Sequence, residues 1–120
     1  MSPSAFTYRD YEALPNDGRR YEIYDGELRV TPAQSLEHQI ILTNLPRVLL
    51  RHVPDTAPGL ILPAPTDVIL ADRPDETTIV QPDILYVGPD RMTVTSRRGL
   101  EAAPTLAVEI LSPPHARRTE

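Results

Sequence analysis

Two carboxylates stand out for the company they keep. Asp83 follows Pro82 and opens the apolar run Ile84 to Val87, and Glu109 interrupts Leu106-Ala-Val-Glu-Ile-Leu111. A carboxylate set into so apolar a strand is costly to bury unless it is paired or binds a metal. Two of them on neighbouring strands compete for protons, and a divalent cation resolves that by favouring the charged form of both. Oxygen donors of this kind suit Mg²⁺, which keeps several waters and accepts phosphate oxygens. The same spacing admits a structural reading, with Asp83 as a strand-entry turn residue and Glu109 paired with a buried arginine.

Glu22 lies in Arg20-Tyr-Glu-Ile-Tyr-Asp-Gly-Glu27. Strand alternation puts it on the face opposite Tyr21 and Ile23, where an ordinary solvent-facing residue is the simplest expectation. His38 stands beside Glu37 and Gln39 near the start of a helix. It could approach a phosphate or a carboxylate, although a helical histidine in such company is expected at the surface. His52 and His115 have no partner suggested by spacing. Ser112 follows Glu109 by three residues, but no histidine is placed to activate it. No HExxH, glycine-rich phosphate loop or nucleophile elbow occurs.

The elements that must position these groups can be read from local signals. Thr7-Tyr-Arg-Asp10 has capping-box form and predicts a short helix over Tyr8 to Leu14, ended by Pro15-Asn-Asp-Gly18. Asp25-Gly26 suits a type I′ turn, so Arg20 to Tyr24 and Glu27 to Thr31 should form a hairpin, half-buried at Tyr21, Ile23, Leu28 and Val30. Leu36, Ile40, Leu45 and Leu49 follow helical spacing and predict a helix over Leu36 to His52. Pro46 lies inside it and should kink it or end it early, because proline donates no backbone hydrogen bond.

After the loop Pro54 to Gly59, the chain reads as strands at Leu60 to Leu62, Thr66 to Leu70, Ile79-Val80, Ile84 to Val87 and Thr105 to Leu111. Arg97 to Ala103 reads as a connector. The final run, apolar on both sides of Glu109, has the pattern of a buried central strand. Helix, hairpin, helix and then a series of strands implies an α+β or mixed-sheet fold.

Composition narrows the function classes. With 120 residues, one domain is the ceiling, and 40% hydrophobic residues suit a globular core. There is no cysteine, so disulfides and cysteine–zinc sites are excluded. No apolar stretch reaches the length of a membrane span, and a cytoplasmic protein is the expectation. The net charge of −5 argues against a simple nucleic-acid coat. Arg91, Arg97, Arg98, Arg117 and Arg118 give the last 30 residues a local excess of positive charge that could meet phosphates, or be an ordinary solvated surface. All 12 basic residues are arginine, and lysine is absent.

Taken together, these segments resemble the Uma-type family of restriction endonucleases, which share the PD-(D/E)XK fold. The resemblance is carried by Tyr21-Glu-Ile-Tyr-Asp-Gly-Glu27, by Thr31-Pro32 leading to His38-Gln39, and by Leu62-Pro-Ala-Pro-Thr-Asp-Val68. It continues through Gln81-Pro-Asp-Ile84, Gly99, Ala103-Pro104 and Val108-Glu-Ile-Leu-Ser-Pro113. Each motif alone is weak, and their order and spacing are more specific.

The resemblance implies a restriction-endonuclease-like central sheet with flanking helices, DNA as partner and Mg²⁺ (or Mn²⁺) as cofactor. It implies Asp83 and Glu109 as metal-binding carboxylates, Glu22 as an accessory catalytic acid, and the Ile110 carbonyl as a further metal ligand. Restriction-like nucleases often dimerise to cut both strands, so a homodimer is also compatible with it.

One departure matters. The orthodox motif places lysine two residues after the glutamate, where this chain has Leu111. In Uma-type proteins that lysine belongs to a helix after the Glu-x-x-Ser strand. That helix and a further aromatic-rich strand would lie beyond Glu120. Residues 1–120 are therefore expected to be a single, C-terminally partial domain with impaired DNA hydrolysis. The alternative is a non-catalytic remnant or protein-interaction module of the same fold.

Overall fold

Local signals set the first elements. In the computed structural model, which describes residues 5–111, helix α1 covers Tyr8–Glu12 and closes on the expected capping box. The Asp10 backbone N–H donates to Thr7 Oγ1 at 3.3 Å, and the Thr7 N–H donates to Asp10 Oδ2 at 2.9 Å. Strands β1 (Arg20–Tyr24) and β2 (Glu27–Thr31) pair antiparallel across Asp25-Gly26, both with positive φ as a type I′ turn requires. A Cβ on Gly26 would come within 2.7 Å of the Ala5 Cβ, so this turn also needs glycine for close packing.

Helix α2 covers Leu36–Leu50. It opens on Ser35, whose hydroxyl accepts the His38 backbone N–H at 3.2 Å. Contrary to expectation, Pro46 does not end the helix, which continues through it for another turn. Of the expected apolar stripe, Leu36 and Ile40 are exposed and Leu45 and Leu49 are half-buried. Ile41, Val48 and Leu50 also reach solvent.

The remaining strands are β3 (Leu60–Pro63), β4 (Val68–Ala71), β5 (Thr78–Val80), β6 (Ile84–Val87), β7 (Thr95–Ser96), β8 (Gly99–Leu100) and β9 (Leu106–Val108), with a 3₁₀ turn over Pro89–Val94. The expected connector at Arg97 to Ala103 thus contains part of a tight β7–β8 hairpin. The strands divide into a six-stranded sheet, β2-β1-β5-β4-β8-β7, and a three-stranded sheet, β3-β6-β9. Helices with mixed sheets are the α+β class, consistent with a restriction-endonuclease-like fold, although the strands form two sheets instead of one central one.

The core follows strand alternation. Val68 and Ile69, adjacent on β4, serve opposite faces. Val68 packs with Leu85, Val87 and Leu100, while Ile69 packs with Ile23 and Ile79. The buried central strand of the smaller sheet is β6, where Ile84, Leu85 and Val87 are fully buried. The Glu109 segment was expected in that role and does not fill it. Among the described residues, strand β9 pairs only with β6 and its outer edge has no neighbour, and Leu106 and Ala107 are exposed. Val30, expected half-buried, is exposed on β2, which is itself an edge strand.

Among the described residues, no helix is long and apolar enough to cross a membrane. Ser112, His115, Arg117 and Arg118 lie outside the described residues.

Candidate functional site

Strands β6 and β9 run antiparallel with Ile84 opposite Val108 and Leu85 opposite Ala107. Continuing that register by one residue sets Asp83 opposite Glu109, at the same end of both strands. Two bonds join them. The Asp83 backbone N–H donates to Glu109 Oε1 at 3.0 Å, and the Ile110 backbone N–H donates to Asp83 Oδ2 at 2.6 Å. On the other side of β6, the Ala64 N–H donates to the Asp83 carbonyl at 2.8 Å, fixing the backbone between β3 and β9.

The two carboxylates differ in setting. Asp83 is buried, with 3% of its side chain exposed, whereas the Glu109 side chain is 56% exposed. The exposure of Glu109 corrects the expectation of a carboxylate sunk in an apolar strand, and it follows from the edge position of β9. Burial alone would raise the Asp83 pKa. The Ile110 N–H, the Arg20 guanidinium and His38 outweigh it and hold Asp83 below the ordinary carboxylate value. Glu109 is pushed the other way, by partial burial and by the negative charges of Asp83 and Glu22, against the opposing Asp83 N–H bond and Arg20.

Strand β1 supplies the grip from the larger sheet. Arg20 and Glu22, two residues apart, project from the same face. Arg20 is ion-paired to Asp83 Oδ1, and its other terminal nitrogen lies 3.9 Å from Glu109 Oε1. Glu22 is buried, not solvent-facing. Its Oε2 accepts the Gln81 backbone N–H at 2.6 Å, and its Oε1 accepts the Tyr24 hydroxyl at 3.2 Å. Glu22 thereby holds the backbone two residues before Asp83.

His38 corrects the surface expectation. Only 2% of its side chain is exposed, and its Nε2 lies 3.0 Å from Asp83 Oδ1. The distance suits a hydrogen bond but the alignment does not, and Nε2 has no other partner among the described residues. His38 is the buried residue in the first turn of α2, and its ring lies over Asp83 at the start of β6.

Beside this cluster is a cleft of about 640 Å³, into which Arg20, His38 and Gln81 reach. Tyr11, Asp67 and Gln81 form a fixed polar group in its wall. The Tyr11 hydroxyl donates to Asp67 Oδ1 at 2.7 Å, and Gln81 Nε2 donates to the same oxygen and to the Tyr11 oxygen, each at 2.8 Å. Sequence reading did not single out Arg20, Tyr11, Asp67 or Gln81. The signal for Arg20 was available in its alternation with Glu22.

Carboxylate oxygens such as those of Asp83 and Glu109 are the donors a hard divalent cation takes. Both Asp83 oxygens are engaged here, by Arg20 and the Ile110 N–H, and Glu109 Oε1 by the Asp83 N–H, with His38 Nε2 3.0 Å from Asp83 Oδ1. Among the described residues, no three acidic or histidine side chains already converge as a ready-made cage. The Ile110 backbone N–H is bonded to Asp83 Oδ2.

Among curated proteins, none matches the chain. The model of the Uma2 family, described as "Putative restriction endonuclease", matches residues 8–120, nearly the whole chain. The chain belongs to the Uma2 family of restriction-endonuclease-like proteins.

Proposed function

We propose that residues 1–120 form one domain acting as a Mg²⁺- or Mn²⁺-dependent endonuclease in the cytoplasm, hydrolysing DNA phosphodiester bonds with Asp83 and Glu109 at the centre. The supporting observation is their opposition across β6 and β9, each accepting a backbone N–H from the other's strand. Family membership supports the general nuclease role.

In this reading Asp83, held ionised by its neighbours, is the anchoring cation ligand. Glu109, open to solvent, is the second, and the Ile110 carbonyl is the third. When bound, the metal lowers the pKa of a coordinated water and offsets negative charge on the scissile phosphate. Glu22 is a positioning residue, because both of its oxygens are engaged in holding Gln81 and Tyr24.

No lysine is present among the 120 residues to orient or activate the attacking water, and arginine cannot deprotonate to do so. Cleavage by this chain is therefore slow. Incubation of the purified protein with plasmid and Mn²⁺ should give weak nicking that Asp83→Ala lowers by a further ~10²–10³-fold. Nicking that survives Asp83→Ala undiminished overturns this reading, and vigorous nicking that Asp83→Ala abolishes overturns its impairment.

One observation favours a second reading, that of an interaction module. The outer face of α2 exposes Leu36 (75%), Ile40 (50%), Ile41, Val48 and Leu50. Surfaces of that kind bind partners or self-associate. A monomer by light scattering at high concentration, with no dye binding to apolar surface, counts against it.

A further inference from the structure

Arg20 is the one arginine within ion-pairing distance of either Asp83 or Glu109 among the described residues. Its guanidinium spans both carboxylates, one terminal nitrogen on each, and only 14% of the side chain is exposed. It therefore occupies the position in which the proposed divalent cation would balance charge. An arginine cannot relieve the resulting repulsion by giving up its proton. A dication bound to Asp83 requires the guanidinium to move.

The structure provides a destination. Arg20 lines the adjoining cleft together with Arg19, His38 and Gln81, and with the carboxylates of Glu12 and Asp67, the latter already bonded by Tyr11 and Gln81. The chain end of a guanidinium freed from Asp83 needs another anion, and its planar fork matches phosphate oxygens two at a time. We propose that Arg20 is a displaceable counter-ion. It offsets part of the negative charge of Asp83 and Glu109 until a divalent cation takes them, and then carries its charge to a substrate phosphate in the cleft. This rests on the reading of Asp83 and Glu109 as the cation site.

One consequence is thermodynamic. Metal alone must displace Arg20 into water, whereas metal together with a phosphodiester gives Arg20 a new partner. Metal and DNA therefore bind with positive coupling, and the coupling is reciprocal. Arg20 also sets the resting state, because it offsets one of the two negative charges of the acidic pair before either ligand arrives.

The test is calorimetric titration of the full 120-residue chain with Mn²⁺, with and without a short duplex oligonucleotide. Wild type, Arg20→Gln, Arg20→Lys and Asp83→Asn are compared. Without DNA, Arg20→Gln is expected to bind Mn²⁺ about tenfold more tightly than wild type. It should bind DNA more weakly, and DNA should no longer tighten its Mn²⁺ binding. Arg20→Lys, which contacts one carboxylate at a time, should fall between the two and carries the test if Arg20→Gln does not fold. Mn²⁺ affinity equal to or weaker than wild type in the folded Arg20 variants overturns the proposal.

Asp83→Asn separates this failure from failure of the cation site itself. Mn²⁺ binding lost in Asp83→Asn but unchanged in the Arg20 variants rejects only the counter-ion role. Mn²⁺ binding that persists in Asp83→Asn, or is absent from wild type with DNA present, rejects both.

Discussion

Asp83 and Glu109 hold one another through their backbones: the Asp83 N–H is bound by the Glu109 carboxylate, and the Asp83 carboxylate is bound by the N–H of Ile110. This reciprocal clasp fixes two acidic groups side by side, where mutual repulsion would otherwise part them. It ties the end of edge strand β9 to the buried strand β6.

Asp83 should be the more structural of the two. Asp83→Ala leaves Arg20 and the Ile110 N–H without their buried partner, a change that commonly costs about 3–5 kcal/mol. Asp83→Asn keeps an acceptor and should cost less. The folded-state pKa of Asp83 lies below its ordinary value of 3.8. Its ionised form therefore adds stability above pH 3.8, and that contribution is lost as pH falls further. Urea unfolding of wild type and Asp83→Asn should show a gap at neutral pH that narrows below this value.

Glu109 should behave in the opposite sense. Its pKa is raised by burial and by the charges of Asp83 and Glu22, so ionisation opposes folding as pH rises past its ordinary value of 4.5. Glu109→Gln keeps an oxygen to accept the Asp83 N–H and removes the charge. In metal-free buffer at neutral pH the variant should be at least as stable as wild type by thermal unfolding. It should also lose any stabilisation by added Mn²⁺. A marked loss of stability in metal-free buffer contradicts the electrostatic description of this pair.

Glu22 is expected to act through Gln81. Glu22→Ala leaves the part-buried Gln81 N–H without its acceptor, a loss of about 1–3 kcal/mol. Glu22→Gln, which can still accept, should lose much less. Denaturant midpoints for the two variants give the comparison, and equal losses argue that the carboxylate charge, and not the hydrogen bond, is what matters.

The exposed face of α2 should govern solution behaviour. Ile40→Glu and Val48→Glu remove exposed apolar surface without touching the described core. Both should leave the circular dichroism spectrum unchanged and reduce concentration-dependent light scattering. Scattering that stays unchanged moves the sticky surface elsewhere.

Legibility in the sequence tracked the range of the interactions. The α1 capping box and the Asp25-Gly26 hairpin are set by residues a few positions apart, and both formed as read. Asp83 and Glu109 were conspicuous because a carboxylate within an apolar run is unusual. Their pairing across β6 and β9 required only that the two runs be neighbours. The burial of Glu109 was misread because an apolar run looks alike at the centre and at the edge of a sheet. Only the number of partner strands distinguishes the two, and among the described residues β9 has one.

His38 was illegible for a related reason. Its neighbours Glu37 and Gln39 are polar, yet helical rotation turns His38 inward against Asp83. Strands as short as Thr95–Ser96 and Gly99–Leu100 carry no usable periodicity, so the division into two sheets depended on long-range pairing.

The most direct test of the acidic pair as a cation site is the paramagnetic resonance signal of free Mn²⁺ in the presence of the protein. Wild type should quench that signal saturably. Asp83→Asn and Glu109→Gln, each shown to be folded, should leave it near the level of buffer alone. Equal quenching by wild type and both variants would contradict a site built on Asp83 and Glu109.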